Sequence, residues 1–91
     1  MIQSFRHKGL KKLWNEGDPK GIGADLLDRV RRLLTALDAA QDIRELSMPG
    51  WGLHRLHGKP TRFAISVSGP WRITFEWEDG DALRVDLEQY H

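Results

Sequence analysis

The sequence predicts an α+β fold in which two N-terminal helices pack on one face of a twisted, mostly antiparallel sheet of four to five strands. Three observations carry that expectation. Between Arg62 and His91, apolar residues alternate with polar ones in three runs: Phe63, Ile65 and Val67, then Trp71, Ile73, Phe75 and Trp77, then Leu83, Val85 and Leu87. Strands with one buried face read this way. Upstream, Leu26, Val30, Leu33, Leu34 and Leu37 recur at the spacing of a single helical face. Finally, 91 residues with 40% apolar content can fill one core but not two, so residues 1–91 read as one domain.

The alternation leaves Arg62, Ser66, Arg72, Thr74, Glu76, Arg84, Asp86 and Glu88 on the second face of the sheet, a polar surface available for work. Turn lengths must preserve this phase. A two-residue loop at Asp79-Gly80 would set Trp77 opposite Ala82 and throw Arg84 among the apolar side chains. A three-residue loop, Glu78-Asp79-Gly80 with Gly80 left-handed, instead places Phe75 opposite Leu83, Ile73 opposite Val85 and Arg72 opposite Asp86. Ser68-Gly69-Pro70 as the preceding loop pairs Val67 with Trp71, Ile65 with Ile73, and Arg62 with Glu76. Opposite charges facing one another favour these registers.

Ahead of the sheet, Ile2 and Phe5 flank a short segment with strand character. Leu10, Leu13 and Trp14 then mark a helix of two to three turns from about His7, which Gly17 and Asp18-Pro19 stop. Asp25 is placed to cap or charge the first turn of the second helix, and Asp28 to pair with Arg32 one turn on. One more turn is expected through Ile43 to Leu46, ended by Ser47-Met48-Pro49-Gly50. Trp51 to Gly58 reads as a short strand.

The chain has no cysteine, which removes disulfides and thiolate metal sites and fits a reducing cytoplasm. Its start lacks the apolar run of a signal peptide or membrane span, so a soluble, cytoplasmic protein without membrane partners is expected. Net charge is only +1, yet it is unevenly spread. Residues 46–75 contain no carboxylate but hold His54, Arg55, His57, Lys59, Arg62 and Arg72. Arg6, His7, Lys8, Lys11 and Lys12 form a second cluster. Solvated surface charge is the ordinary reading of such clusters, whereas a polyanion such as RNA is the functional one.

His54 and His57 stand three apart on a strand and so point to opposite faces, a poor start for a metal site. No glycine-rich phosphate loop and no serine elbow occurs. What the residues do permit is acid–base chemistry beside a phosphate. Cutting an RNA backbone this way takes a base for the ribose 2′-hydroxyl, cations for the charge growing on phosphate, and an acid for the 5′-oxygen. His54, Arg62, Arg72, Tyr90 and His91 can fill these roles, and spacing does not say which is base and which is acid.

Several stretches, in order, resemble the HigB family of bacterial toxins. They are Ile2-Gln3-Ser4-Phe5-Arg6-His7-Lys8-Gly9-Leu10, Pro49-Gly50-Trp51-Gly52-Leu53-His54-Arg55-Leu56, Val67-Ser68-Gly69-Pro70-Trp71-Arg72-Ile73-Thr74-Phe75, Glu78-Asp79-Gly80-Asp81-Ala82, and Tyr90-His91. The resemblance implies a RelE-like fold and a toxin of a type II toxin–antitoxin system. It further implies a metal-independent endoribonuclease, without cofactor, that cuts messenger RNA on the ribosome and inhibits translation. A HigA-like helix-turn-helix antitoxin would neutralise it, with operator DNA engaged only through their complex. The alternative is a catalytically weak relative that binds RNA or the ribosome under the same antitoxin control. His54, Arg72, Tyr90 and His91 are the implied catalytic residues. Lys8, Lys11, Lys12, Arg55, Lys59 and Arg62 are the candidate RNA contacts. Relatives commonly carry an acidic residue directly before Tyr-His, where this chain has Gln89. Its neighbour Glu88 points by alternation to the other face and is expected to be a poor substitute.

Overall fold

Helix α1 spans Lys8–Glu16 and α2 Leu27–Ala39, followed by a 3₁₀ turn at Ile43–Leu46 and strands β1 (His54–Leu56), β2 (Arg62–Ser68), β3 (Trp71–Glu78) and β4 (Asp81–Gln89). The computed structural model describes residues 1–90. The strands form one antiparallel sheet in the order β1-β2-β3-β4, so the architecture is the α+β arrangement that the patterning predicts.

Local chemistry sets the helix ends. The His7 Nδ1 accepts the Leu10 N–H at 3.1 Å and caps α1, and Gly17, at φ 71°, closes it in the left-handed conformation. Asp25 does not cap α2: the N-cap is Leu26, without a side-chain bond, and Asp28 is the acidic residue of the first turn. Nor does an ion pair join Asp28 to Arg32 among the described residues. The segment between the helices crosses α1 where neither chain carries a side chain, since a Cβ on Gly21 would lie 2.6 Å from the Gly9 Cα.

The two periodicities meet in one cluster. Val30, Leu33, Leu34 and Leu37 of α2 and Ile65, Ile73, Phe75 and Val85 of the sheet are each no more than 1% exposed. Leu10 and Leu13 bring α1 into the same cluster. Trp71, expected within this core, only flanks it and remains partly exposed.

Strand registers depart from expectation at both hairpins. Between β2 and β3, Ile65 faces Ile73 as expected, but an irregularity pairs Ser68, not Val67, with Trp71. Between β3 and β4 the turn has two residues. Asp79 (φ 51°) and Gly80 (φ 82°) are both left-handed, as a type I′ turn requires. Trp77 therefore faces Ala82 and Glu76 faces Leu83. The phase error this should cause is absorbed further along. Thr74 faces Asp86, Ile73 faces Leu87 and Arg72 faces Glu88, so Arg84 and Val85 together oppose Phe75 in a β-bulge. Arg84 takes φ 47° at the bulge and stays exposed while Val85 turns inward. The expected pairs Ile73 with Val85, Phe75 with Leu83 and Arg72 with Asp86 are thus replaced.

The N-terminal segment explains why a bulge is tolerated there. It runs parallel to β4 through isolated bridges, Ile2 to Ala82 and Phe5 to Val85, which cover the outer edge of β4. The Ser4 Oγ accepts the Arg84 N–H at 2.8 Å, supplying a partner for the backbone group that the bulge displaces from the ladder. Asp38 of α2 accepts the Ile2 N–H at 2.9 Å and ties this segment to the helix layer. No helix of the described residues is long and apolar enough to cross a membrane.

Candidate active site

Residues paired across neighbouring strands share a face of the sheet. The pairing His54–Ala64, Ala64–Thr74 and Thr74–Asp86 therefore places the His54 side chain on the polar face. The next row, Ser66–Arg72–Glu88, and Tyr90, two residues beyond Glu88, lie on that face as well. Four strands thus bring His54, Arg72 and Tyr90 to one surface. His91 lies outside the described residues.

The short strand β1 displays His54 at the sheet edge, exposed. Its Nδ1 lies 2.9 Å from the Gly52 carbonyl oxygen. A carbonyl can only accept, so Nδ1 is the donor and Nε2 is the nitrogen left for another partner. Gly52 has φ 59°, a backbone that favours glycine, so the residue that orients the ring is conformationally specialised for it.

Arg72 is tied to the turn before it: one guanidinium nitrogen donates to Gly69 O at 2.6 Å and to Trp71 O at 2.9 Å. The fork is held from its backbone side, not by Asp86, which lies one row away. Tyr90 is fixed through its N–H, which donates to Pro70 O at 2.8 Å. The β2–β3 turn therefore positions both residues. Burial pushes the Tyr90 phenol above its ordinary pKa, the nearby Glu88 adds to the rise, and Arg62 opposes it.

Arg62 is an internal cation on this face. Its guanidinium donates to Glu76 Oε2 at 3.0 Å, to Thr74 Oγ1 at 3.0 Å and to the Arg84 carbonyl at 2.9 Å, and its side chain is only 12% exposed. Glu76 also receives two bonds from the Arg84 guanidinium, one of them at 2.6 Å from Nε. Hydrogen bonding from Arg84 outweighs the desolvation that opposes it and, with the charge of Arg84 and the hydrogen bond from Arg62, holds the Glu76 carboxyl below the usual glutamate range. Thr74 accepts from Arg62 and donates to Glu88. Alternation had placed these residues on one face, but the bulge that delivers Arg84 to Glu76 has no signature in the pattern.

The remaining candidates are dispersed. Arg55 pairs with Phe63 and so points away from His54, towards the opposite face at the edge. Lys59 is exposed in the β1–β2 loop. Lys8, Lys11 and Lys12 are exposed on α1, in the helix layer and not on the His54 face. There Lys8 and Lys12 line a cleft of ≈ 390 Å³ with Lys20, a residue that the sequence clusters omit, and Asp18. Gln89 faces Trp71 in the other row, while Glu88 is on the polar face. The alternation expected between them holds, and it leaves Glu88 on the polar face with Asp86 and Glu76. Among the described residues no three histidine or carboxylate side chains gather as a metal site.

The family model of HigB-like toxins, RelE-like toxins of type II toxin–antitoxin systems, matches residues 3–91. A curated relative, the endoribonuclease HigB of Proteus vulgaris, is 42% identical over 92 aligned residues that span the whole of both chains. A type II toxin has an antitoxin as its partner. With the sheet, the two helices and the matched length in agreement, this chain belongs to the HigB family of RelE-like toxins.

Proposed function

We propose that this chain is an endoribonuclease that cuts messenger RNA on the ribosome and so inhibits translation, held in check by a HigA-like helix-turn-helix antitoxin. The observation that carries the reading is the polar sheet face, the side of the sheet on which strand pairing puts His54, Arg72 and Tyr90. The full-length relative with an endoribonuclease name supports the reaction class.

The chemistry follows from these groups. The 2′-oxygen attacks phosphorus, its bond forming as the bond to the 5′-oxygen breaks. His54 Nε2, the nitrogen left free by Gly52, takes the 2′-hydroxyl proton. Tyr90 delivers a proton to the departing 5′-oxygen, which a phenol carries at neutral pH. Arg72 offers its guanidinium to the phosphate oxygens, a geometry that two oxygens fit better than they fit an ammonium. Lys8, Lys11, Lys12, Arg55 and Lys59 supply electrostatic attraction for RNA or ribosome. Arg62 acts from within the sheet face, adding positive potential beneath the phosphate.

The test is induced expression with mapping of message ends, followed by cleavage of ribosome-bound message by purified protein. Arg72→Ala is expected to lower the rate by roughly two to three orders of magnitude, as removal of a transition-state charge partner does, with little change in fold. Wild-type cutting by that variant removes Arg72 from the reaction. Binding to ribosomes without new message ends in the wild type favours the non-cutting relative.

A further inference from the structure

Part of the Arg72 guanidinium is already taken by backbone. Its Nη1 donates to the Gly69 carbonyl at 2.6 Å and to the Trp71 carbonyl at 2.9 Å, which uses both protons of that nitrogen. Among the described residues Nε and Nη2 donate to nothing, and neither is enclosed without a partner as Arg62 Nε is. Glu88 stands opposite Arg72 in the register, yet among the described residues it forms no ion pair with it; its carboxylate accepts from Thr74 instead. Nε and Nη2 share one edge of the planar group, with N–H bonds side by side, the geometry that fits two oxygens of one carboxylate or phosphate. The attachment to the turn therefore selects which edge of the cation is left for a ligand.

Gly69 has φ 54°, a left-handed backbone that glycine adopts readily and side-chain-bearing residues resist. Space does not demand glycine there, since a Cβ on Gly69 would meet nothing beyond its chain neighbours within 4 Å. The demand comes from the backbone, whose conformation sets where the Gly69 carbonyl points. The next carbonyl, that of Pro70, accepts the Tyr90 N–H at 2.8 Å, so the end of the last strand holds the turn in place. We propose that Gly69 is a positioning residue for Arg72: its left-handed carbonyl, with that of Trp71, occupies Nη1 and so presents the Nε and Nη2 edge to two oxygens of the scissile phosphate. The contact with phosphate rests on the function proposed above, whereas the hold of Gly69 on the guanidinium does not.

Gly69→Ala and Gly69→Asn in the full chain test this, because asparagine tolerates the left-handed conformation better than alanine does. Gly69→Ala is expected to slow cleavage of ribosome-bound message roughly ten- to a hundredfold, the scale of a misplaced reacting group, with message binding much less affected. Gly69→Asn is expected to restore most of the rate. In an Arg72→Ala background Gly69→Ala should cost little more, because the side chain it acts through is gone. The nitrogen–proton NMR signal of Arg72 Nε, assigned by its loss in Arg72→Ala, is followed as adenosine 3′-monophosphate is added. It is expected to move in wild type and to need more nucleotide to move in Gly69→Ala. A wild-type Nε signal that the nucleotide leaves in place overturns the assignment of that edge. A wild-type cleavage rate in Gly69→Ala, or losses that add fully to those of Arg72→Ala, overturn the positioning role. If Gly69→Ala does not fold, wild type alone bears the test: an Nη1 held by two carbonyls gives two separate proton signals, and a single averaged signal overturns the hold. Wild-type protein that cuts no message while its Nε signal moves overturns the nuclease reading and supports the phosphate contact.

Discussion

On the helix-covered face of the sheet Ile65, Ile73, Phe75 and Val85 are no more than 1% exposed, and on the opposite face of the same strands Thr74 and Glu76 are 0% and 7% exposed. Burial is similar, but its physics differs. The first face is stabilised by apolar contact with α2, which has no direction and depends on area and fit. The second depends on directed partners, each donor matched to one acceptor, with Arg62 and Glu76 joined deep in the chain. Even there matching is incomplete, because the buried Arg62 Nε has no hydrogen-bond partner among the described residues. An apolar face fails by degrees as atoms are removed. A polar network fails abruptly when one member leaves another charge uncompensated.

Truncation on the first face should have the largest effect on stability. Leu33→Ala, at a fully buried position, is expected to cost roughly 2–5 kcal/mol in denaturant unfolding, and a cost of a few tenths would remove this helix face from the core. On the second face, Glu76→Ala strands Arg62 and is expected to cost up to about 3 kcal/mol. The sharper comparison is the double replacement Arg62→Met with Glu76→Leu, expected to regain most of that loss, since a buried pair exchanged for apolar groups is often neutral. If the double variant is no more stable than Glu76→Ala alone, the ion pair is favourable in its own right.

Acid distinguishes the two faces. The folded-state pKa of Glu76 is depressed, so its contribution is fully present above the unfolded glutamate value of about 4.3 and is lost as pH falls through the lower folded value. Glu76→Gln should therefore flatten the fall in stability below about pH 4, and Leu33→Ala should leave its slope unchanged. Equal slopes in wild type and Glu76→Gln would show that other carboxylates govern acid unfolding.

The apolar face was legible because alternation and the helical stripe each repeat a rule over many residues, and Ile65, Ile73, Phe75, Val30 and Leu33 all obey it. The polar face was legible in membership but not in wiring. Arg62 opposite Glu76 followed from hairpin phase, and their bond confirms that proximity. Arg84 joining Glu76 depends on a left-handed arginine in a bulge, a conformation that composition does not announce. The same bulge moved Arg72 from Asp86 to Glu88, the residue that alternation had set aside as a poor substitute for an acid at position 89. The three-residue turn failed for a related reason: it assumed that phase is corrected within the loop, whereas Asp79-Gly80 make the tightest turn and the correction occurs four residues later.

The smallest effect is expected far from both faces, on α1. Lys8, Lys11 and Lys12 are exposed, and two of them share a cleft with Lys20. Since α1 lies in the helix layer, a nucleotide seated beside His54 does not also touch these ammonium groups through the sheet. Contact with them requires a larger polyanion that wraps the edge, such as ribosomal RNA. Replacing Lys8, Lys11 and Lys12 by Gln should then reduce the slope of log affinity against log salt for ribosomes by about one per lysine that neutralises a phosphate. The position of cleavage in the message should not change, because no group on the His54 face is altered. Asp18 lines the same cleft and weakens the local field, so Asp18→Asn is expected to strengthen ribosome binding modestly, and the triple lysine variant should abolish that gain. A salt slope unchanged in the triple variant would mean that the α1 lysines meet only solvent.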